Sequence, residues 1–211
     1  NSNNTKPAQF IYNNLNIQTN LIHAAYKAQI KKLIFLGSSC IYPRDSKQPI
    51  KEDYLLSGVL EKTNEPYAIA KIAGIKMCES YRREYNCNFV SVMPTNLYGY
   101  NDNFDKYDSH VLPALIRKFA EAKKNNANEI EIWGTGKPKR EFLFVDDLSE
   151  AILIIDKKYN DSKPINVGYG KDISIKELSN KLKKLFNFAG KIKYNSKFPD
   201  GTPRQLLNIK K

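Results

Sequence analysis

The chain has 211 residues, of which 41% are hydrophobic and 11% aromatic, enough to build a core and too many for a disordered segment. Its 34 lysines and arginines against 22 acidic residues give a net charge of +12, so anionic partners such as nucleic acid or a nucleotide diphosphate come into question. The basic residues are scattered, with small clusters at Lys31-Lys32, Lys123-Lys124 and Lys181 to Lys184, and no aromatic-interleaved RNA motif accompanies them. The charge therefore reads as a solvated surface, and no nucleic-acid role is expected.

Three cysteines without Cys-x-x-Cys spacing and only two histidines argue against a disulfide framework or a metal site. No apolar run approaches the roughly 18 residues of a membrane span. The start Asn1-Ser-Asn-Asn is polar rather than signal-like. A cytoplasmic location and no membrane partner are expected.

In chain order, a helix is predicted from Pro7 to Ala28, with Phe10, Ile11, Leu15, Ile17, Leu21 and Ile22 as its apolar stripe. Leu33-Ile-Phe-Leu36 then runs into Gly37-Ser-Ser-Cys40, the pattern of a buried parallel strand ending in a tight turn. Hydroxyl and thiol groups stand at its carboxyl end, where open α/β sheets bind ligands. A polar loop from Tyr42 to about Glu65 follows, and Pro66 fits the first turn of a helix running towards Tyr85. Tyr67 and Lys71 lie on one face of that helix, and an ammonium beside a phenol lowers the phenol's pKa and suits it to proton transfer.

Asn88 to Met93 reads as a second strand, and Pro94-Thr-Asn-Leu-Tyr-Gly99 as another strand-end loop. After an irregular stretch to Ser109 come a helix from Val111 to Lys123, a strand at Ile130 to Trp133 and a Gly134-Thr-Gly-Lys-Pro turn. A strand is expected at Phe142 to Val145, then a helix capped by Asp146 and Asp147 and running through Ile155. A short strand lies at Pro164 to Gly168, and Ser174 opens a helix to Phe186 through a capping box with Glu177. The remainder to Lys211 reads as irregular. Alternating strands and helices of this kind make an α/β doubly wound parallel sheet.

The segments Gly37-Ser-Ser-Cys-Ile-Tyr-Pro43, Thr63-Asn-Glu-Pro-Tyr-Ala-Ile-Ala-Lys71 and Val92-Met-Pro-Thr-Asn-Leu-Tyr-Gly99 together resemble the extended short-chain dehydrogenase/reductase family. The likeness continues through Ser109-His-Val-Leu-Pro-Ala114, Arg140-Glu-Phe-Leu-Phe-Val-Asp-Asp147 and Pro199-Asp-Gly-Thr-Pro-Arg204. It implies an NAD(P)-binding Rossmann-like fold with a smaller substrate domain. Residues 1–99 and 141–170 would form the cofactor part and residues 100–140 and 171–211 the GDP-sugar part.

The implied activity is NADPH-dependent: 3,5-epimerisation of GDP-4-keto-6-deoxy-D-mannose about its ketone, then reduction of that ketone. In this likeness Cys40 is the base and His110 the acid of the epimerisation. Tyr67 polarises the ketone and later protonates the alkoxide. Ser38 holds the same oxygen, with Ser39 as the alternative, and Lys71 tunes Tyr67 and bonds the nicotinamide ribose. Cofactor contacts are implied for Leu36, Gly37, Ser38, Ser39, Tyr67, Lys71, Pro94, Thr95, Asn96, Leu97 and His110. Asn96, Lys118, Trp133, Arg140 and Asp200 fall at positions of the GDP-sugar. A bidentate guanidinium at Arg140 suits a diphosphate. The likeness also implies a homodimer through a helical interface that includes the Tyr67 helix.

One departure stands out: the chain's 10 glycines form no Gly-x-Gly-x-x-Gly, the turn that lets backbone approach a dinucleotide pyrophosphate. The chain thus reads as a family member without its first strands, incomplete also at the carboxyl end. Two other readings follow from what is present and absent. One is another nucleotide-sugar epimerase or dehydratase of the same superfamily, which need not carry Cys40 and His110. The other is a non-catalytic nucleotide-binding fragment.

Overall fold

In the computed structural model, which describes residues 5–106 and 108–211, strands and helices alternate as the pattern predicts. The terminal tetrapeptide lies outside the described residues. Helix α1 (Pro7–Lys27) leads to β1 (Leu33–Leu36), helix α2 (Glu65–Tyr85), β2 (Phe89–Pro94) and β3 (Asn96–Tyr98). Helix α3 (Val111–Lys124), β4 (Glu129–Trp133), β5 (Lys139–Phe144) and α4 (Val145–Lys158) follow. The chain continues with β6 (Ile165–Val167), β7 (Asp172–Ser174), α5 (Ile175–Leu185), β8 (Lys191–Asn195) and β9 (Arg204–Gln205). None of the described helices is long and apolar enough to cross a membrane.

A parallel three-stranded sheet in the order β1-β2-β6 holds the first core, with Leu33 opposite Phe89 and Val92 opposite Ile165. Strand β2 is buried at every position, which accounts for an apolar run interrupted only by Ser91. Strand β1 is less buried than its pattern suggests: it pairs with β2 alone among the described residues, and Leu36 is 40% exposed. Helices α1 and α2 pack on this sheet through Ile22, Ile72, Ile75 and Cys78 against Phe35 and Phe89.

The apolar stripe of α1 is rotated from the predicted one. Ile17 and Leu21 face outward, whereas Gln18 is buried and its Nε2 donates to the Ala70 carbonyl of α2, leaving Oε1 buried without a partner. A polar side chain with a backbone partner displaced two apolar ones because α2 approaches that side. On the other face of the sheet, Ile155 of α4 packs against Val90 and Val92.

A second core gathers Leu112, Leu115 and Phe119 of α3, Ile130 and Ile132 of β4, and Ile175, Leu178 and Leu182 of α5. Strand β8, expected to be irregular, pairs in parallel with β4, setting Ile192 opposite Ile130 and Tyr194 opposite Ile132. The alternation Lys-Ile-Lys-Tyr carries its signal, but its partner lies about sixty residues away. Likewise β3 arises in the predicted loop because β5 pairs with it, Asn96 opposite Phe142 and Leu97 opposite Leu143. Helix α4 has Phe144 as its N-cap without a side-chain cap. Asp146 and Asp147 sit inside the first turn, where their charge complements the helix dipole. The capping box of Ser174 and Glu177 on α5 is formed as predicted.

Strand β5 joins the parts. Its first half lies between antiparallel β7 and parallel β9, and its second half pairs with β3. At its middle Glu141 is fully buried, accepting from the Gly170 N–H at 2.6 Å and the Leu207 N–H at 2.9 Å. The Glu141 backbone carbonyl accepts from Thr95 Oγ1 and from Asn96 Nδ2 at 2.9 Å. Position 168 must be glycine here, since a Cβ would lie 2.4 Å from the Glu141 carboxylate. Leu207, next to that carboxylate, reaches back into the first core beside Ile50.

Glu141→Gln keeps the shape but turns an amide donor onto one of two buried N–H donors. The expected cost is about 1–3 kcal/mol, a thermal midpoint lower by roughly 2–4 °C per kcal/mol. An unchanged midpoint in calorimetry would show that the carboxylate does not hold these segments.

Candidate active site

Two groups of predicted residues come together, and one side chain belongs to both. The first group lies where β1 ends. Ser38 caps a single 3₁₀ turn, Ser39–Ile41, its Oγ accepting from the Cys40 N–H at 3.2 Å. The same hydroxyl lies beside Tyr67 and the Cys40 thiol and lowers the pKa of both. Ser39 is buried, so of the two serines Ser38 is the one facing the reactive groups.

Tyr67 and Lys71 share the face of α2 beside this turn, as their spacing predicts, but they do not form the expected pair. Lys71 Nζ donates to the Leu36 carbonyl at 2.9 Å and lies 5.1 Å from the Phe35 ring centroid and 5.8 Å from that of Tyr67. Burial pushes the Tyr67 phenol up, the Cys40 charge adds to this, and the Ser38 hydrogen bond opposes it. Burial lowers the Lys71 pKa. The predicted lowering of Tyr67 by Lys71 is therefore absent, the ammonium being drawn to a backbone carbonyl, and burial leaves the phenol raised.

Cys40 is half-buried and free. Burial raises its pKa, while the Ser38 hydrogen bond, the Arg140 guanidinium and the Asn64 amide act in the opposite direction. Pro94 and Thr95 are buried, and the Thr95 side chain turns inward to the Glu141 carbonyl. Asn96 and Leu97 remain half-exposed beyond the end of β2. Gly37 is buried, and a side chain there would press on Met93 and the Val92 carbonyl.

The second group lines a cavity of about 290 Å³ that contains Lys118, Trp133, Arg140 and Asp200, all four predicted from the resemblance. Lys118 Nζ sits 4.9 Å over the Trp133 ring and donates to the Glu131 carbonyl at 2.9 Å. Trp133 stacks on Phe198 with centroids 4.5 Å apart. Asp200 accepts from the Thr135 N–H at 2.6 Å and its hydroxyl at 2.7 Å. This close approach requires Gly134, which has φ of +82° and whose Cβ would meet the Asp200 carboxylate. His110 is exposed at the N-cap of α3, between cavity-lining Ser109 and Val111, and makes no side-chain hydrogen bond among the described residues.

Arg140 links the groups. It lines the cavity, and its electrostatic partners are Cys40, Glu61 and Asp200. Glu61, which the sequence pattern does not mark, is buried and joined to Arg44 at 3.5 Å. Arg117 also lines the cavity, and it had no signal beyond standing next to Lys118. Asn64 was missed as well, although it stands three residues before Tyr67 and seven before Lys71, a one-face helical spacing. A wider groove of about 730 Å³, lined by Lys76, Arg82, Arg83 and Lys163, contains none of the predicted residues.

Comparison with known proteins gives a match of residues 1–168 to the NAD dependent epimerase/dehydratase family. The chain is 54% identical over 210 residues to GDP-L-fucose synthase 1 of Arabidopsis thaliana, covering 100% of this chain and 65% of that protein. It is 51% identical over 217 residues to the GDP-L-fucose synthase of Escherichia coli K12, covering 99% of this chain and 68% of that one. A crystal structure of a Naegleria fowleri GDP-L-fucose synthetase bound to NADP superposes with a TM-score of 0.89 at 30% identity, covering 95% of this chain and 64% of that one. The chain thus spans just under two thirds of the plant relatives it matches.

A positive neighbour favours the thiolate, so Arg140→Gln is expected to keep Cys40 protonated to higher pH. Iodoacetamide labelling of Cys40, read by peptide mass spectrometry against pH, should shift upward and run several-fold slower at neutral pH. A profile identical to that of the parent chain would remove Arg140 from the Cys40 environment.

Proposed function

The chain belongs to the NAD dependent epimerase/dehydratase family, and from that premise we propose that its protein converts GDP-4-keto-6-deoxy-D-mannose to GDP-L-fucose, with NADPH as reductant. The observation that supports this most is Arg140, which lines the cavity of Lys118, Trp133 and Asp200 while standing in the field of Cys40. In this reading a site for the nucleotide diphosphate lies beside a base for the sugar. Residues 1–99 and 141–170 serve the cofactor in this reading, and residues 100–140 and 171–211 the GDP-sugar.

The Cys40 thiolate takes the proton from a carbon flanking the ketone. The C–H electron pair moves onto the ketone oxygen as an enolate, which Ser38 and Tyr67 stabilise by donating hydrogen bonds. His110 returns a proton to the opposite face of that carbon; Cys40 then releases its proton to solvent, His110 regains one from solvent, and the sequence is repeated at the second flanking carbon. When bound, NADPH supplies the hydride that reduces the ketone. Tyr67 then gives its phenolic proton to the oxygen, a transfer that a high-pKa phenol makes readily to an alkoxide.

The residues fit the nicotinamide end of the cofactor. Lys71 stands at the end of β1 beside exposed Leu36, with Gly37, Ser38 and Ser39 after it. Pro94, Thr95, Asn96, Leu97 and His110 would complete that end. A glycine-rich phosphate turn is not part of this sequence. A homodimer through a helical interface that includes α2 belongs to the same reading, as does a cytoplasmic location.

Two measurements test the reading. Because Trp133 is the sole tryptophan, GDP should change the intrinsic fluorescence, and Arg140→Gln should weaken that binding about tenfold or more. In the full-length protein, incubation with the keto sugar and NADPH in deuterated water should give a reduced sugar deuterated at both epimerised carbons. Cys40→Ser should lose deuterium uptake far more than hydride transfer, and Tyr67→Phe should cripple reduction. Equal loss of both steps in both variants would refute this division of labour.

A further inference from the structure

Asn64 occupies the N-cap position of α2, yet its side chain makes no capping hydrogen bond. An asparagine there ordinarily turns its oxygen onto the free N–H groups of the first turn. In this protein the side-chain amide instead lies beside Cys40, whose pKa it lowers, and Oδ1 is buried with no partner. A buried acceptor left unpaired is unfavourable in the free protein and is satisfied when a donor arrives. Asn64 also stands at helical spacing from Tyr67 and Lys71, the face that holds the ketone in the proposed reaction.

We propose that Asn64 is a further residue of the epimerisation site: its amide N–H holds the Cys40 sulfur as the thiolate, and its Oδ1 accepts a hydrogen bond from the sugar hydroxyl flanking the ketone. This rests on Cys40 being the base. An amide suits both tasks, since it presents a donor and an acceptor on one rigid plane. A thiolate accepts an N–H strongly and a neutral thiol only weakly, so the contact favours the basic form. The other groups facing Cys40 are Ser38 from its own turn, Tyr67 from α2 and Arg140 from β5. Of these, Arg140 is also expected on the diphosphate, whereas the Asn64 amide is free to stay on the sulfur throughout.

The test uses Asn64→Asp and Asn64→Ala in the full-length protein. Asp has nearly the shape of Asn, keeps the acceptor and removes the donor, but its charge also repels a thiolate. Asn64→Ala removes the donor without adding charge and must therefore slow the labelling as well. An unchanged thermal midpoint in both variants checks that the fold is retained. Asn64→Asp should label about tenfold more slowly at Cys40 at neutral pH, with the labelling profile displaced upward and deuterium uptake slowed in parallel, while KM for the keto sugar stays near that of the parent. Asn64→Ala should add a several-fold rise in KM. Parent-like labelling in either variant would overturn the proposal, including the case in which only the charged Asn64→Asp is slowed. Absence of deuterium uptake in the parent protein would instead overturn the assigned reaction, and the labelling profiles would still report whether Asn64 acts on Cys40.

Discussion

The buried Glu141 carboxylate is the constraint on which the rest of the structure depends. A charged group with no solvent access must have its lone pairs occupied, and here the occupants are backbone N–H groups from two separate segments. Those contacts tie the strand after the second core to the Gly168–Gly170 turn and to the chain near Leu207. Because side chains alternate along a strand, burying Glu141 sends neighbouring Arg140 the other way, to the cavity and towards Cys40. The position of the Arg140 cation, shared by both halves of the site, thus follows from a buried anion on the opposite face of the strand.

The environment of Cys40 is a contest between burial and a few polar neighbours. Desolvation favours the neutral thiol, and Ser38, Arg140 and Asn64 oppose it without reversing it. A thiol kept neutral in the resting protein is a poor target for adventitious oxidation or alkylation. In the proposed reaction the base would be formed within the site, beside a substrate whose acidic proton is already at hand.

Local pattern made much of this legible. The apolar run of β1, its small-residue turn and the Tyr67-Lys71 spacing located the end of the strand where the reactive groups gather. Family likeness supplied Lys118, Trp133, Arg140 and Asp200, which no periodicity could single out, and they line one cavity. What stayed hidden was set by partners distant in sequence. Strands β3 and β9 are too short to show without β5, and the outward turn of Ile17 and Leu21 follows from how α2 meets Gln18. The failure of Lys71 to lower the Tyr67 pKa has the same origin: helical spacing brought the groups to one face, but the Leu36 carbonyl, on another element, decided where the ammonium went.

The tie between Glu141 and Leu207 also bears on how the chain is made. During synthesis the first core can collapse early, since β1, α2 and β2 are near neighbours along the polypeptide. The partners of Glu141 emerge later, Gly170 first and Leu207 only some sixty residues after the carboxylate itself. Until then β5 lacks its closing contacts, and Arg140 cannot be fixed in place. A nascent chain would therefore acquire its sheet before its chemistry, the last link being made by residues that take no direct part in either.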